Sequence, residues 1–184
     1  MEADASGLST AATPSQQQAP RPVAVIDIGA TSIRMAIAEV GPDGQIRTLE
    51  SLAQAVSLGK DTFTSGSIHA TTTEYCVRVL TSYRQVLDEY GITAAAQIHV
   101  VATSAVREAI NRLAFLKRIY VATGFRVEPF DEAAVNRVTY LGVRPLLASE
   151  PKLAKGRTLV IEVGGGSTEV LLVDRGNVAY AHTY

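Results

Sequence analysis

Tryptophan is absent, cysteine occurs once, and neither sign of charge dominates: 17 Lys and Arg stand against 18 Asp and Glu, for a net charge of -1. The lone Cys76 excludes an internal disulfide and any cysteine-pair zinc motif, and it fits a reducing, cytoplasmic setting. The charge balance provides no general basic field. Duplex nucleic acid is therefore not an expected partner, and an anionic ligand would need a local site. No run approaches the ~18–20 continuous apolar residues of a membrane span, so no membrane association is expected. His69, His99 and His182 are scattered along the chain and suggest no metal cluster. Met1–Pro20 lacks the basic start and apolar stretch of a signal peptide and is rich in Ala, Ser, Thr, Gln and Pro, which predicts a disordered tail.

What remains is apolar enough for a real core, at 47% hydrophobic residues over a length of 184. Pro22–Ile28 is a short β-branched run ending at Gly29 and reads as a buried strand. Ser32–Val40 and Gln45–Val56 read as two more strands, joined by the turn signal Gly41-Pro42-Asp43-Gly44. Ser57–Ala70 reads as a polar loop. Thr71–Tyr90 is expected to be a helix capped by Thr71 or Thr72 and ended by Gly91. Strands are expected at Gln97–Thr103 and Phe125–Phe130, with a helix at Ala105–Ala122 between them, capped by Ser104 and closed by Gly124. A further helix, Asp131–Leu147, is capped by Asp131.

The opening pattern then recurs. Thr158–Val163, a Gly-rich loop, Thr168–Val173, a turn at Asp174–Asn177 and Val178–Tyr184 repeat the strand–loop–strand–turn–strand order. Asp27-Ile28-Gly29-Ala30-Thr31-Ser32 aligns with Glu162-Val163-Gly164-Gly165-Gly166-Ser167, so acid, Gly and Ser return at the same offsets. A three-stranded meander followed by βα units describes a ribonuclease-H-like α/β half, and two such halves face each other in actin-like ATPases. The expected organisation is a tail at residues 1–20, one complete half at 21–150, and the opening strands of a second half at 151–184.

A Gly-rich loop between two strands gathers backbone N–H groups into a concavity that binds phosphate oxygens, and Ser or Thr hydroxyls add donors. An acid at the end of the preceding strand can hold Mg²⁺ through its retained waters. Gly29, Thr31, Ser32 and Arg34 form the first candidate phosphate site, beside Asp27. Gly164, Gly165, Gly166, Ser167 and Thr168 form the second, beside Glu162. The plain alternative for either loop is a β-turn that uses glycine for its backbone conformation. Finding two at one internal spacing favours phosphate.

These stretches resemble the Ppx/GppA phosphatase family. VIDIGATSIRM is similar to its first phosphate loop, VATSAVREAINRLAFLKRI to its ATSAxRxAxNxxxFL stretch, VTYLGV to its YxGV helix and TLVIEVGGGSTEVLLV to its second loop. The resemblance runs from about Val23 to Val173. It implies an actin-like fold and Mg²⁺-dependent hydrolysis of the terminal phosphate of polyphosphate or of guanosine pentaphosphate (pppGpp), the expected ligands. It also implies that Arg107 is a cleft arginine and that Glu169 belongs to the second loop. For Arg107, an ordinary surface pair with Glu108 or Glu132 is the alternative.

Three departures stand out. Ala30-Thr31 replaces the family's Ser-Asn, and Glu162 replaces an Asp. The family's catalytic glutamate falls on Ala134 when counted back without a gap from Tyr140-Leu141-Gly142-Val143, and its acidic neighbours fall on Ala133 and Val135. Glu132 is then the candidate base, with helix capping as the plain role of Asp131-Glu132. Two other functions stay open. One is a weak or inactive module that binds polyphosphate or guanosine tetra- and pentaphosphate, and the other is an actin-like ATPase or sugar kinase. Thr158–Tyr184 carries apolar residues on both faces, so the chain is expected to self-associate there, as a homodimer or beyond, or to leave that segment mobile.

Overall fold

The computed structural model describes residues 21–184. The expected disordered tail at 1–20 lies outside the described residues. Strands β1 (Arg21–Ile28), β2 (Ser32–Val40) and β3 (Ile46–Ala55) form the antiparallel meander. Helices α1 (Leu58–Ser65) and α2 (Ala70–Glu89) follow, then β4 (Ile98–Ala102), α3 (Ser104–Glu108), α4 (Arg112–Thr123), β5 (Val127–Pro129), α5 (Glu132–Ser149) and α6 (Pro151–Lys155). The chain ends in β6 (Arg157–Val163), β7 (Thr168–Asp174) and β8 (Asn177–Thr183).

The first sheet has the order β3-β2-β1-β4-β5, with β4 parallel to β1 and β5 parallel to β4. Alternation along β1 and β2 sends Ala24, Ile26, Ile28, Ile33, Met35 and Ile37 to one face, where all are fully buried or nearly so. There they join Leu80, Phe115 and Ile119 of α2 and α4 in a single core. Tyr83 ties this layer together, its hydroxyl donating to the Ile33 carbonyl at 3.0 Å. Burial pushes its phenol above the ordinary range.

Tertiary contacts changed three local expectations. The stretch expected to be a polar loop contains α1, because Leu58 is fully buried and the Gly59 N–H donates to the Ala30 carbonyl at 2.8 Å. The helix expected at Ala105–Ala122 is broken into α3 and α4. At the break the Ile110 N–H donates to the Gly66 carbonyl, and the Asn111 amide pairs with both backbone groups of Ile68. The start of α2 uses neither Thr71 nor Thr72. His69 occupies the cap position, and its N–H donates to buried Asp61 at 3.0 Å.

The second sheet has the order β6-β7-β8, all antiparallel. It is not left bare, as the sequence suggested. Helix α5 packs against β7 and β8 and buries Leu171 and Val173. The Tyr140 hydroxyl donates to the Gly176 carbonyl, and Thr139 donates to Glu162 at 2.6 Å. The opposite face stays open: Leu159, Ile161 and Val163 are 58%, 58% and 78% exposed.

Candidate phosphate-binding cleft

Both glycine loops are built alike. In the first, the Gly29 N–H donates to the Ser32 carbonyl at 2.9 Å, and in the second the Gly164 N–H donates to the Ser167 carbonyl at 2.9 Å. The internal repeat of the sequence is therefore a repeat of turn geometry. Each loop closes a hairpin whose strands pair directly, Ile28 with Ile33 and Val163 with Thr168.

The fold brings the two loops face to face. Asp27, Gly29, Thr31, Ser32 and Arg34 line one wall of a cleft of about 160 Å³, and Glu162, Gly164, Gly165, Gly166, Ser167 and Glu169 line the other. Thr103, Ser104 and Val135 complete it. Two glycines of the second loop sit tightly against side chains of the first half. A side-chain carbon on Gly165 would lie 2.8 Å from Thr31, and one on Gly166 would lie 2.6 Å from Phe63 and 2.7 Å from Ser104. A larger residue at 165 would displace the Thr31 side chain, and one at 166 would displace the Phe63 ring and the Ser104 hydroxyl.

The electrostatics of the cleft are uneven. Asp27 stands opposite Arg34 in the β1–β2 pair, while Glu162 stands opposite Glu169 in β6–β7. Burial pushes the Asp27 carboxyl above the usual range, Arg34 pulls it down and Glu162 pushes it up again. Its Oδ1 is buried without a hydrogen-bond partner. Glu169 is almost fully buried, and its Oε1 accepts from the Ser167 hydroxyl at 2.6 Å. Three carboxylates against one guanidinium would repel a phosphate unless a cation neutralised them.

Those residues fit Mg²⁺. The ion needs only one or two protein carboxylates when waters and substrate phosphates complete its shell. Asp27, with its unpaired buried oxygen, and Glu162 are the carboxylates that would supply them, from opposite walls. A denser cage is not formed: among the described residues no group of three or more His, Cys, Asp or Glu side chains could hold an ion by itself.

Three expected residues, Glu132, Arg107 and Thr168, do not line the cleft. Glu132 lines a separate cavity with Asn136, Arg137, Tyr140 and Leu171, between α5 and the second sheet. Asp131 is the helix cap, accepting from the Ala134 N–H at 2.7 Å. Arg107 donates to the Phe130 carbonyl at 3.3 Å and pairs with Glu108 at 3.2 Å, the surface pairing that was its plain alternative. Thr168 sits at the end of the second loop, its N–H donating to the Tyr184 carbonyl at 2.9 Å. Val135 presents an apolar side chain where α5 borders the cleft.

Sequence reasoning gave Glu169 no separate role. The signal was present, since the offset that aligns Asp27 with Glu162 (162 − 27 = 135) also aligns Arg34 with Glu169. Ser104, Thr103 and Val135 carried no comparable signal. Cys76 is buried, and burial above all, with Asp61 nearby, pushes its thiol up to about 12, so it is no nucleophile at neutral pH.

The model of the Ppx/GppA phosphatase family matches residues 36–182. A bifunctional 3-dehydroquinate synthase/phosphatase of Fusobacterium nucleatum is 30% identical over 81% of this chain and 22% of its own length. A putative exopolyphosphatase of Haemophilus influenzae is 28% identical over 84% of this chain and 45% of its own. The crystal structure of an exopolyphosphatase from Cytophaga hutchinsonii superposes with a TM-score of 0.79 at 25% identity, covering 89% of this chain and 50% of that one. The chain thus spans about half or less of the length of these relatives.

Proposed function

Because this chain belongs to the Ppx/GppA phosphatase family, we propose that its cleft binds the terminal phosphates of polyphosphate or pppGpp with Mg²⁺, as the phosphate-holding part of a phosphoanhydride hydrolase. The observation that carries this is the meeting of two identically built glycine loops across one cleft, each with a strand-end acid. The backbone N–H groups of Thr31, Ser32 and Ser167 and the hydroxyls of Thr31 and Ser32 would bind phosphate oxygens, while the Ser167 hydroxyl is held on Glu169 and the Thr168 N–H in the strand ladder. Arg34 would offset charge on the first wall, spreading it as fork-shaped donors do around a phosphoryl group. Asp27 and Glu162 would hold Mg²⁺, which when bound neutralises phosphate charge. Gly165 and Gly166 let the loops approach until both reach one group.

A second reading, binding without efficient turnover, is favoured by Val135. An attacking water needs a base within hydrogen-bond reach. The α5 side chain at the cleft is apolar, and Glu132 lies in another cavity. Incubating the chain with Mg²⁺ and either polyphosphate or pppGpp, with phosphate release and calorimetric binding measured in parallel, tests both. Release of phosphate supports the hydrolase. Binding without release supports the second reading, and neither event would overturn both.

A further inference from the structure

We infer that Phe63 is a closure latch, a positioning residue that holds the second glycine loop against the first at the spacing where both reach one phosphate. This rests on the phosphate-binding role proposed for the cleft. Phe63 sits on α1, whose turn is held from three sides. Leu58 is fully buried, the Gly59 N–H donates to the Ala30 carbonyl within the first loop, and the Thr62 hydroxyl donates to the Ala105 carbonyl at 2.9 Å. The base of the Phe63 side chain is therefore fixed relative to the first loop.

The ring then spans both halves. A carbon added to Gly59 would lie 3.2 Å from its edge, and one added to Gly166 would lie 2.6 Å from two of its atoms. The first contact is within α1 itself and fixes the ring over its own helix, and the second carries the same ring edge across to the second loop. Phe63 is 46% exposed, so the core does not require it. A rigid ring with two side-chain torsions adds contact area at small entropic cost. Holding the loops in place before binding removes an ordering cost that each phosphate would otherwise meet.

Two readouts separate the latch from the phosphate reading. Calorimetry with inorganic tripolyphosphate and Mg²⁺ on the whole chain reports binding, and hydrogen exchange across Gly164–Ser167 without ligand reports closure. Phe63→Ala should weaken tripolyphosphate about tenfold, the loss expected of a disordered loop, and speed exchange in that loop alone. Phe63→Leu should restore most of both, with melting temperatures unchanged throughout. Unchanged loop exchange in F63A would overturn the latch. Equal losses in both variants alongside a lower melting temperature would overturn it too, reducing Phe63 to a packing residue. Failure of the unaltered chain to bind tripolyphosphate would instead overturn the phosphate reading, with loop exchange still deciding the latch.

Discussion

Glu169 occupies in β7 the place that Arg34 occupies in β2: each stands directly opposite the acid of the neighbouring strand, Glu162 and Asp27. The first hairpin thereby partly neutralises its own carboxylate, while the second doubles its negative charge. The two walls should respond differently to substitution. Glu169→Gln should weaken tripolyphosphate binding chiefly when Mg²⁺ is present. Arg34→Ala should weaken it by about 1.5–3 kcal/mol, the range for a hydrogen bond to a charged group, with or without Mg²⁺. Titration calorimetry in both buffers checks the contrast, and identical losses for the two variants would contradict it.

Asp27 should trade stability for binding. Its native carboxyl is raised from the ordinary 3.8, mainly by burial. A group raised in the folded state contributes stability that is full below the unfolded value and is lost as pH rises through the folded value. Ionised Asp27 therefore costs stability at neutral pH. Asp27→Asn should raise the melting temperature at pH 7, and the gain should vanish below about pH 3.8. The same variant should lose Mg²⁺-dependent binding of tripolyphosphate. Thermal melts across pH check the first outcome and calorimetry the second.

Catalytic power should depend on the side chain that α5 turns toward the cleft. Val135 lines it, and Glu132 does not. Glu132→Gln should leave phosphate release unchanged. Val135→Glu should raise it about 10²-fold or more, the usual contribution of a placed general base. A collapse of activity in the Glu132 variant would mean that the α5 junction shifts on binding.

Much of the site was legible because its determinants are local. A glycine loop after a short apolar strand fixes its own turn, so residues 29–32 and 164–167 could be read without any partner, and the repeat between them gave the two-walled cleft. The first strand was readable from its continuous β-branched run, although only Ala24, Ile26 and Ile28 are buried and Val25 is 45% exposed. What failed was set by distant partners. Helix α1 is only eight residues long, with Gly59 in its first turn, and is held by a buried leucine and a bond to the first loop. The break between α3 and α4 exists because Asn111 binds Ile68, 43 positions away. The placement of Glu132 depended on the rotation of α5 over the second sheet, which residue spacing along the helix does not specify.

The open face of that second sheet should drive association. Its outer row, Leu159, Ile161 and Val163, is exposed and carries no charge. Exposed apolar strands of this kind pair readily with other chains. Light scattering should show mass rising with concentration. Ile161→Lys should hold the chain to lower mass with little change in melting temperature, since the residue is 58% exposed. A monomer at all concentrations would contradict this.

The central claim is that two loops built alike hold one phosphate group between them. Soaking crystals of the chain with pyrophosphate and Mg²⁺ tests it most directly. The predicted result is an anion in contact with both Gly29–Ser32 and Gly164–Ser167, its cation beside Asp27 and Glu162. An anion bound elsewhere, or held by one loop while the other stands apart, would contradict it.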